Sequence, residues 1–127
     1  MAQLKGGTQL WNNHAVAQND VSAWAYIGPG PYVAIYIAGG ASHAGTFKVQ
    51  VAGLASDKPG LNEITGSDPN GSLTWYDYQG ATSLAVPNST MVCFDLSPFA
   101  PQLLRLVRTD ATGTDNFSAL VTSVGPN

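Results

Sequence analysis

The chain has 127 residues, a net charge of −3 and a single cysteine. That length fits one domain able to bury roughly two-thirds of its unfolded surface, and a lone Cys93 excludes an internal disulfide framework. Only 10% of the residues are charged and 5 are basic, against about 25% charged in ordinary domains, so binding to nucleic-acid phosphates is disfavoured.

Low charge is compatible with a protein packed against partners, whose interface cores are depleted in charge, and equally with a merely neutral-polar surface. Met1 to Gly7 shows no basic run followed by an apolar one, so no signal peptide is expected, and folding in a reducing cytoplasm is natural. The most apolar run, Tyr32 to Ala38, is far too short for a membrane helix, and no membrane partner is expected.

Met1 to Gly7 reads as a flexible arm preceding a domain over residues 8–127. Thr8 to Val16 is expected as a strand, with Leu10, Asn12, His14 and Val16 on one row and Trp11, Asn13 and Ala15 on the other. In Val21 to Ile27, Trp24 and Tyr26 oppose Val21, Ala23, Ala25 and Ile27. Gly28-Pro29-Gly30-Pro31 is a rigid break. Tyr32 to Ala38 is apolar on both faces, as in a central strand covered on both sides. Thr46 to Ala52 is the cleanest strand, with Phe47, Val49 and Val51 inward. Gly53 to Ser72 carries the turn signals Pro59-Gly60, Asp68-Pro69 and Asn70-Gly71, and reads as a surface excursion.

Leu73 to Tyr78 and Thr82 to Val86 are expected as short strands. Thr90 to Leu96 puts Val92, Phe94 and Leu96 on one face, and Met91, Cys93 and Asp95 on the other. Cys93, mid-strand among apolar neighbours, reads as a small buried hydrophobe. Ser97 to Pro101 breaks the ladder, and a single helical turn capped by Ser97 is expected there. Gln102 to Thr109 alternates, with Leu104 and Leu106 opposing Leu103, Arg105 and Val107. Asp110 to Asp115 has turn chemistry with Gly113 at positive φ, and a hairpin then leads into Asn116 to Val124, where Phe117, Ala119, Val121 and Ser123 share a row. No segment keeps a helical period. The fold expected is a single antiparallel β-sandwich of about eight strands, jelly-roll or Ig-like Greek key, with a flexible N-terminal arm.

Catalytic and metal signatures are weak. Gly40-Ala41-Ser42-His43-Ala44 approaches a nucleophile elbow but ends in alanine, and Gly40 to Thr46 approaches a phosphate loop without its lysine. His14 and His43 lack metal-ligand spacing, and Asp68-Pro69-Asn70-Gly71 lacks the closing glutamate of a calcium loop. Asp77 and Asp95 are the carboxylates inside expected strands. A glycosidase pair needs them about 5 to 9 Å apart, and edge exposure or pairing with Arg105 or Arg108 explains them better. No catalytic residue, metal or cofactor is therefore assigned. The aromatics carry more. Trp24 and Trp75 read as core, whereas Tyr76 and Tyr78, side by side on one face, read as surface anchors for a partner or a sugar ring.

Phe94-Asp95-Leu96-Ser97-Pro98-Phe99, Leu103-Leu104-Arg105-Leu106-Val107 and Asp110 to Phe117 resemble the closing strands of small phage structural sandwiches. Together with the arm and the absence of cysteine pairs, the chain resembles the small decoration (cement) proteins of tailed-phage heads, over about its last third. The resemblance implies a non-enzymatic protein on the outer capsid surface of a virion, made in the host cytoplasm. It implies a homo-oligomer, dimer or trimer, that clamps neighbouring major capsid subunits through many modest contacts. The partner-facing residues are then Leu4 and Lys5 of the arm, which could add a strand to a capsid sheet, with Trp11, Tyr76 and Tyr78. The alternative is a carbohydrate- or receptor-binding module using Trp75, Tyr76 and Tyr78. A small hydrolase would need Ser42, His43 and an aspartate clustered in a cleft.

Overall fold

The computed structural model describes residues 3–4, 7–27, 32–42, 44–53, 75–96 and 102–125. Ten strands follow in chain order: β1 (Gln3–Leu4), β2 (Thr8–Val16), β3 (Ala25–Ile27), β4 (Tyr32–Ala38), β5 (Gly45–Gly53), β6 (Tyr76–Asp77), β7 (Leu84–Val86), β8 (Met91–Asp95), β9 (Gln102–Arg108) and β10 (Asp115–Gly125). Among the described residues there is no helix. The Gly28–Pro31 break, His43, most of the Gly53–Ser72 excursion, Leu73, Thr74 and the Ser97–Pro101 turn lie outside these residues.

All pairings are antiparallel. One sheet runs β2–β10–β4–β8, with β1 beside β2 on the same edge of β10. The other runs β3–β9–β5, with β6 and β7 as successive segments along the far edge of β5. From β2 onward the chain changes sheet at every connection except those joining β5, β6 and β7. This alternation is the jelly-roll form of the antiparallel sandwich, rather than the Ig-like one.

The expected strands are present in part or whole: Val21 to Ile27 is a strand only over Ala25–Ile27, and Leu73 to Tyr78, where described, only over Tyr76–Asp77. The inward rows of β4, β5, β9 and β10 form the core. Val33, Ile35 and Ile37 of β4, Phe47 and Val49 of β5, Leu104 and Leu106 of β9, and Phe117 and Val121 of β10 are at most 1% exposed. Burying each such side chain is worth about 1.5–3 kcal/mol. Phe47 links the layers: its ring lies 5.6 Å from that of Trp11 and 5.0 Å, edge-on, from that of Phe117. Gly45 leaves room for these rings, since a Cβ there would stand 2.8 Å from Phe117 Cζ and 2.9 Å from Phe47 Cζ. Gly45→Ala is therefore expected to destabilise the fold by about 1–3 kcal/mol through overpacking. The check is a lower urea midpoint at unchanged slope.

Five expectations are corrected. First, β9 and β10 do not form a hairpin; they lie in different sheets. Each has one apolar row, and the two rows face each other across the core, with the Arg108 guanidinium 5.0 Å from the Phe117 ring centre. The link between them arches from layer to layer, with Gly113 at φ 149°. Second, strict alternation fails in β2. The β2–β10 register shifts, and Asn13 takes a left-handed φ of 48°, so Leu10, Trp11 and Val16 are all buried. Third, Cys93 is exposed, because the outer face of its sheet lacks a covering layer among the described residues. Fourth, β4 is covered on one side only: Ala34, Tyr36 and Ala38 are half-buried. Fifth, Trp24 and Trp75 stay out of the main core. They pack on Ala52 and Leu103, which alternation turns to the outer face of the β5–β9 sheet.

The segment read as an arm contributes β1, whose Gln3 and Leu4 pair with Gly125 and Val124. The strand it adds to is the chain's own: β10 runs past the end of β2, and its edge amides and carbonyls take backbone partners there.

One charge sits inside the core. Arg108 is fully buried. Its Nη1 donates to Val16 O at 2.6 Å, its Nη2 to Ala44 O at 3.1 Å, and its Nε and Nη2 grip the two Asp110 oxygens at 3.0 and 3.1 Å. Asp110 also accepts the Thr46 amide at 2.7 Å and the Thr112 amide at 3.3 Å. Burial pushes the Asp110 carboxyl upward, but Arg108, Thr46 and Thr112 together outweigh it and hold the group well below the usual carboxylate range.

Candidate binding face

The outer face of the β2–β10–β4–β8 sheet is built row by row from its register. Leu120 lies opposite Gln9 on one side and Tyr36 on the other, and Tyr36 lies opposite Cys93. The next row sets Ser118, Ala38 and Met91 side by side, and the row on the other flank sets Thr122, Ala34 and Asp95. Small side chains at Ala38 and Ser118 stand between the larger Tyr36, Leu120 and Met91. The result is a shallow groove of about 290 Å³ lined by Gln9, Tyr36, Ala38, Met91, Ser118, Leu120 and Thr122 over Ala119. Leu120 is held close to the backbone of Gly7, where a Cβ would meet its Cδ1 at 2.7 Å.

No lining residue is charged, and Met91 is 64% exposed. A hydrogen bond with Cys93 first, then like-charge repulsion between the two groups and a little burial, push the Tyr36 hydroxyl above its ordinary value. The surface can bury an apolar side chain and offer hydroxyl and amide groups at its rim. Among its described lining residues there is no nucleophile–base pair.

The outer face of the other sheet is different. Gln50 lies between Arg105 and Asp77 in the register. Its Oε1 accepts from Arg105 Nε at 2.9 Å and its Nε2 donates to Asp77 at 3.1 Å. Lys48 pairs with Asp77 at 3.1 Å. Gln50 first, then Lys48, hold the Asp77 carboxyl below its ordinary value. The Arg105 guanidinium stacks 4.3 Å from the Trp75 ring centre, which occupies one face of that indole.

The residues expected to face a partner are dispersed. Trp11 is 5% exposed and packed on Phe47, so its ring cannot reach a partner. The β2 register shift turns it inward, which corrects its assignment. Tyr76 is 64% exposed at a sheet edge, whereas Tyr78 is half-buried against the core with its hydroxyl 3.4 Å from Leu96 O. These two rings therefore do not form a shared platform. Leu4 lies in β1, and Lys5 is outside the described residues.

Asp77 and Asp95 lie on the outer faces of different sheets, so they cannot act as a carboxylate pair on one substrate. The Ser42 amide donates to Asp115 Oδ2 at 2.9 Å, and Ser42 is exposed in a turn. Among the described residues, no three His, Cys, Asp or Glu side chains stand together as a metal site would need.

Sequence reasoning passed over Tyr36, Ala38, Met91 and Leu120. The signal was there: β4 is apolar on both faces, and Leu120 and Met91 continue that chemistry on neighbouring strands. Double-sided apolarity implies a covered strand, whereas among the described residues one side is an open face. No protein-family model, curated protein or solved structure matches the chain.

Proposed function

We propose that the protein is a non-enzymatic structural module that decorates a phage capsid and bridges neighbouring major capsid subunits. The observation that carries this reading is the uncharged groove across the outer face of the β2–β10–β4–β8 sheet. The paired strands of one sheet supply a preformed surface, so little ordering entropy is lost when a partner covers it. Apolar residues at the centre of a patch with polar groups at the rim match the anatomy of protein interfaces. Several modest copies of such a contact hold a shell more firmly than one.

The test is co-sedimentation with tailed-phage heads assembled without this chain, combined with the melting temperature of the heads. Leu120→Asp places a charge in the groove on a half-buried outer-face side chain. It is expected to weaken binding by about tenfold or more, since one desolvated charge costs over 1.4 kcal/mol. The variant's own unfolding temperature checks that its fold is retained.

Carbohydrate binding is the second reading, favoured by the exposed ring of Tyr76 at the sheet edge. Glycan binding by titration calorimetry that is lost in Tyr76→Ala, with no binding to heads, would select it instead.

A further inference from the structure

We infer that β8 is a self-pairing edge, through which two copies of this chain join their β2–β10–β4–β8 sheets into one continuous sheet about a twofold axis at Cys93. Sheet edges left open invite another strand, and natural folds blunt them with short strands, bulges, lysines or prolines. Among the described residues, β8 pairs with β4 alone, and the other edges of this sandwich are blunted. The β2 edge carries register shifts and a left-handed Asn13, and β1, β3, β6 and β7 are only two or three residues long. β8 differs: five consecutive residues pair with β4 in unbroken register, and Met91-Val92-Cys93-Phe94-Asp95 contains no lysine, arginine or proline.

Backbone parity shows which groups point outward. Leu96 N–H donates to Val33 O at 2.9 Å and Gly39 N–H to Thr90 O at 2.7 Å. The even-numbered residues of this stretch therefore exchange hydrogen bonds with β4, and the N–H and C=O of Met91 and Cys93 point away from it.

Two such edges meet antiparallel with Cys93 opposite Cys93 of the second copy. In that register Val92 falls opposite Phe94 of the second copy, and Phe94 opposite its Val92. Both are inward-facing and only half-buried at the rim of the core. Pairing would close that rim with two aromatic–β-branched contacts, a favourable cross-strand combination. On the outer face Asp95 falls opposite Met91, so the acidic groups avoid each other, and the two grooves become neighbours. The pairing does not depend on what covers the grooves.

The test uses the full chain in two measurements. Sedimentation equilibrium should show the mass rising from one copy toward two with concentration, and Cys93→Lys should raise the dimer dissociation constant by about tenfold or more. Cys93→Pro should do the same with an unchanged unfolding temperature, because the amide it removes faces outward. A short bismaleimide should cross-link the native protein through Cys93. In a Cys93→Ser background, Met91→Cys alone and Asp95→Cys alone should cross-link poorly, since like positions then stand about 14 Å apart along the strands. A mixture of those two variants should cross-link well. A monomer at every concentration, a trimer, or equal cross-linking of all the single-cysteine proteins would overturn the inference.

Discussion

Arg108→Met is expected to cost the fold about 3–5 kcal/mol, a large part of the 5–15 kcal/mol that holds a typical domain together. The side chain is fully buried and its donors are committed to Val16 O, Ala44 O and both oxygens of Asp110. Methionine fills much of the volume but donates nothing, so the buried Val16 carbonyl, the Ala44 carbonyl and the part-buried Asp110 carboxylate lose partners. The Lys48–Asp77 pair is the contrast. It is solvent-exposed, and Asp77→Asn should leave the urea midpoint nearly unchanged.

The same knot sets an acid limit on stability. The folded-state pKa of Asp110 is depressed, so its contribution is fully present above the unfolded value near pH 4 and is lost progressively as pH falls below it. Unfolding free energy measured from pH 6 downward should decline below about pH 4 in the native protein, and that decline should be shallower in Asp110→Asn. Equal acid slopes in the two proteins would remove Asp110 from this role.

Phe47→Ala is expected to cost a further about 3–5 kcal/mol. Phe47 belongs to one sheet, while Trp11 and Phe117, whose rings it touches, belong to the other. Truncation would open a cavity where the two layers meet, among residues too well packed to collapse into it. Phe47→Leu keeps most of the volume and should lose markedly less. Urea denaturation of both variants, followed by tryptophan fluorescence, checks the order. Equal costs would mean that Phe47 does not join the layers.

Strand positions and most inward rows were legible because a period of two is a strong signal wherever one face is buried. Phe47-Val49-Val51 and Phe117-Ala119-Val121 are the clearest cases. Layer assignment was not legible. Gln102–Thr109 and Asn116–Val124 have the pattern of a hairpin, and only the packing of Leu104 and Leu106 across from Phe117 and Val121 reveals an arch between sheets. Alternation also misplaced Trp11, because the irregularity around Asn13 carries no glycine to mark it. The same period cannot separate a face that is covered from one that is open. Cys93 and Tyr36 depart from expectation for that reason, and with them the groove.

The central claim is that the protein works through the open face of the β2–β10–β4–β8 sheet. It is tested most directly by co-sedimenting native protein and Leu120→Asp with tailed-phage heads assembled without this chain. The prediction is saturable binding and a raised head melting temperature for the native protein, with both lost in the folded variant. Binding of Leu120→Asp equal to that of the native protein, or no binding by either, would contradict it.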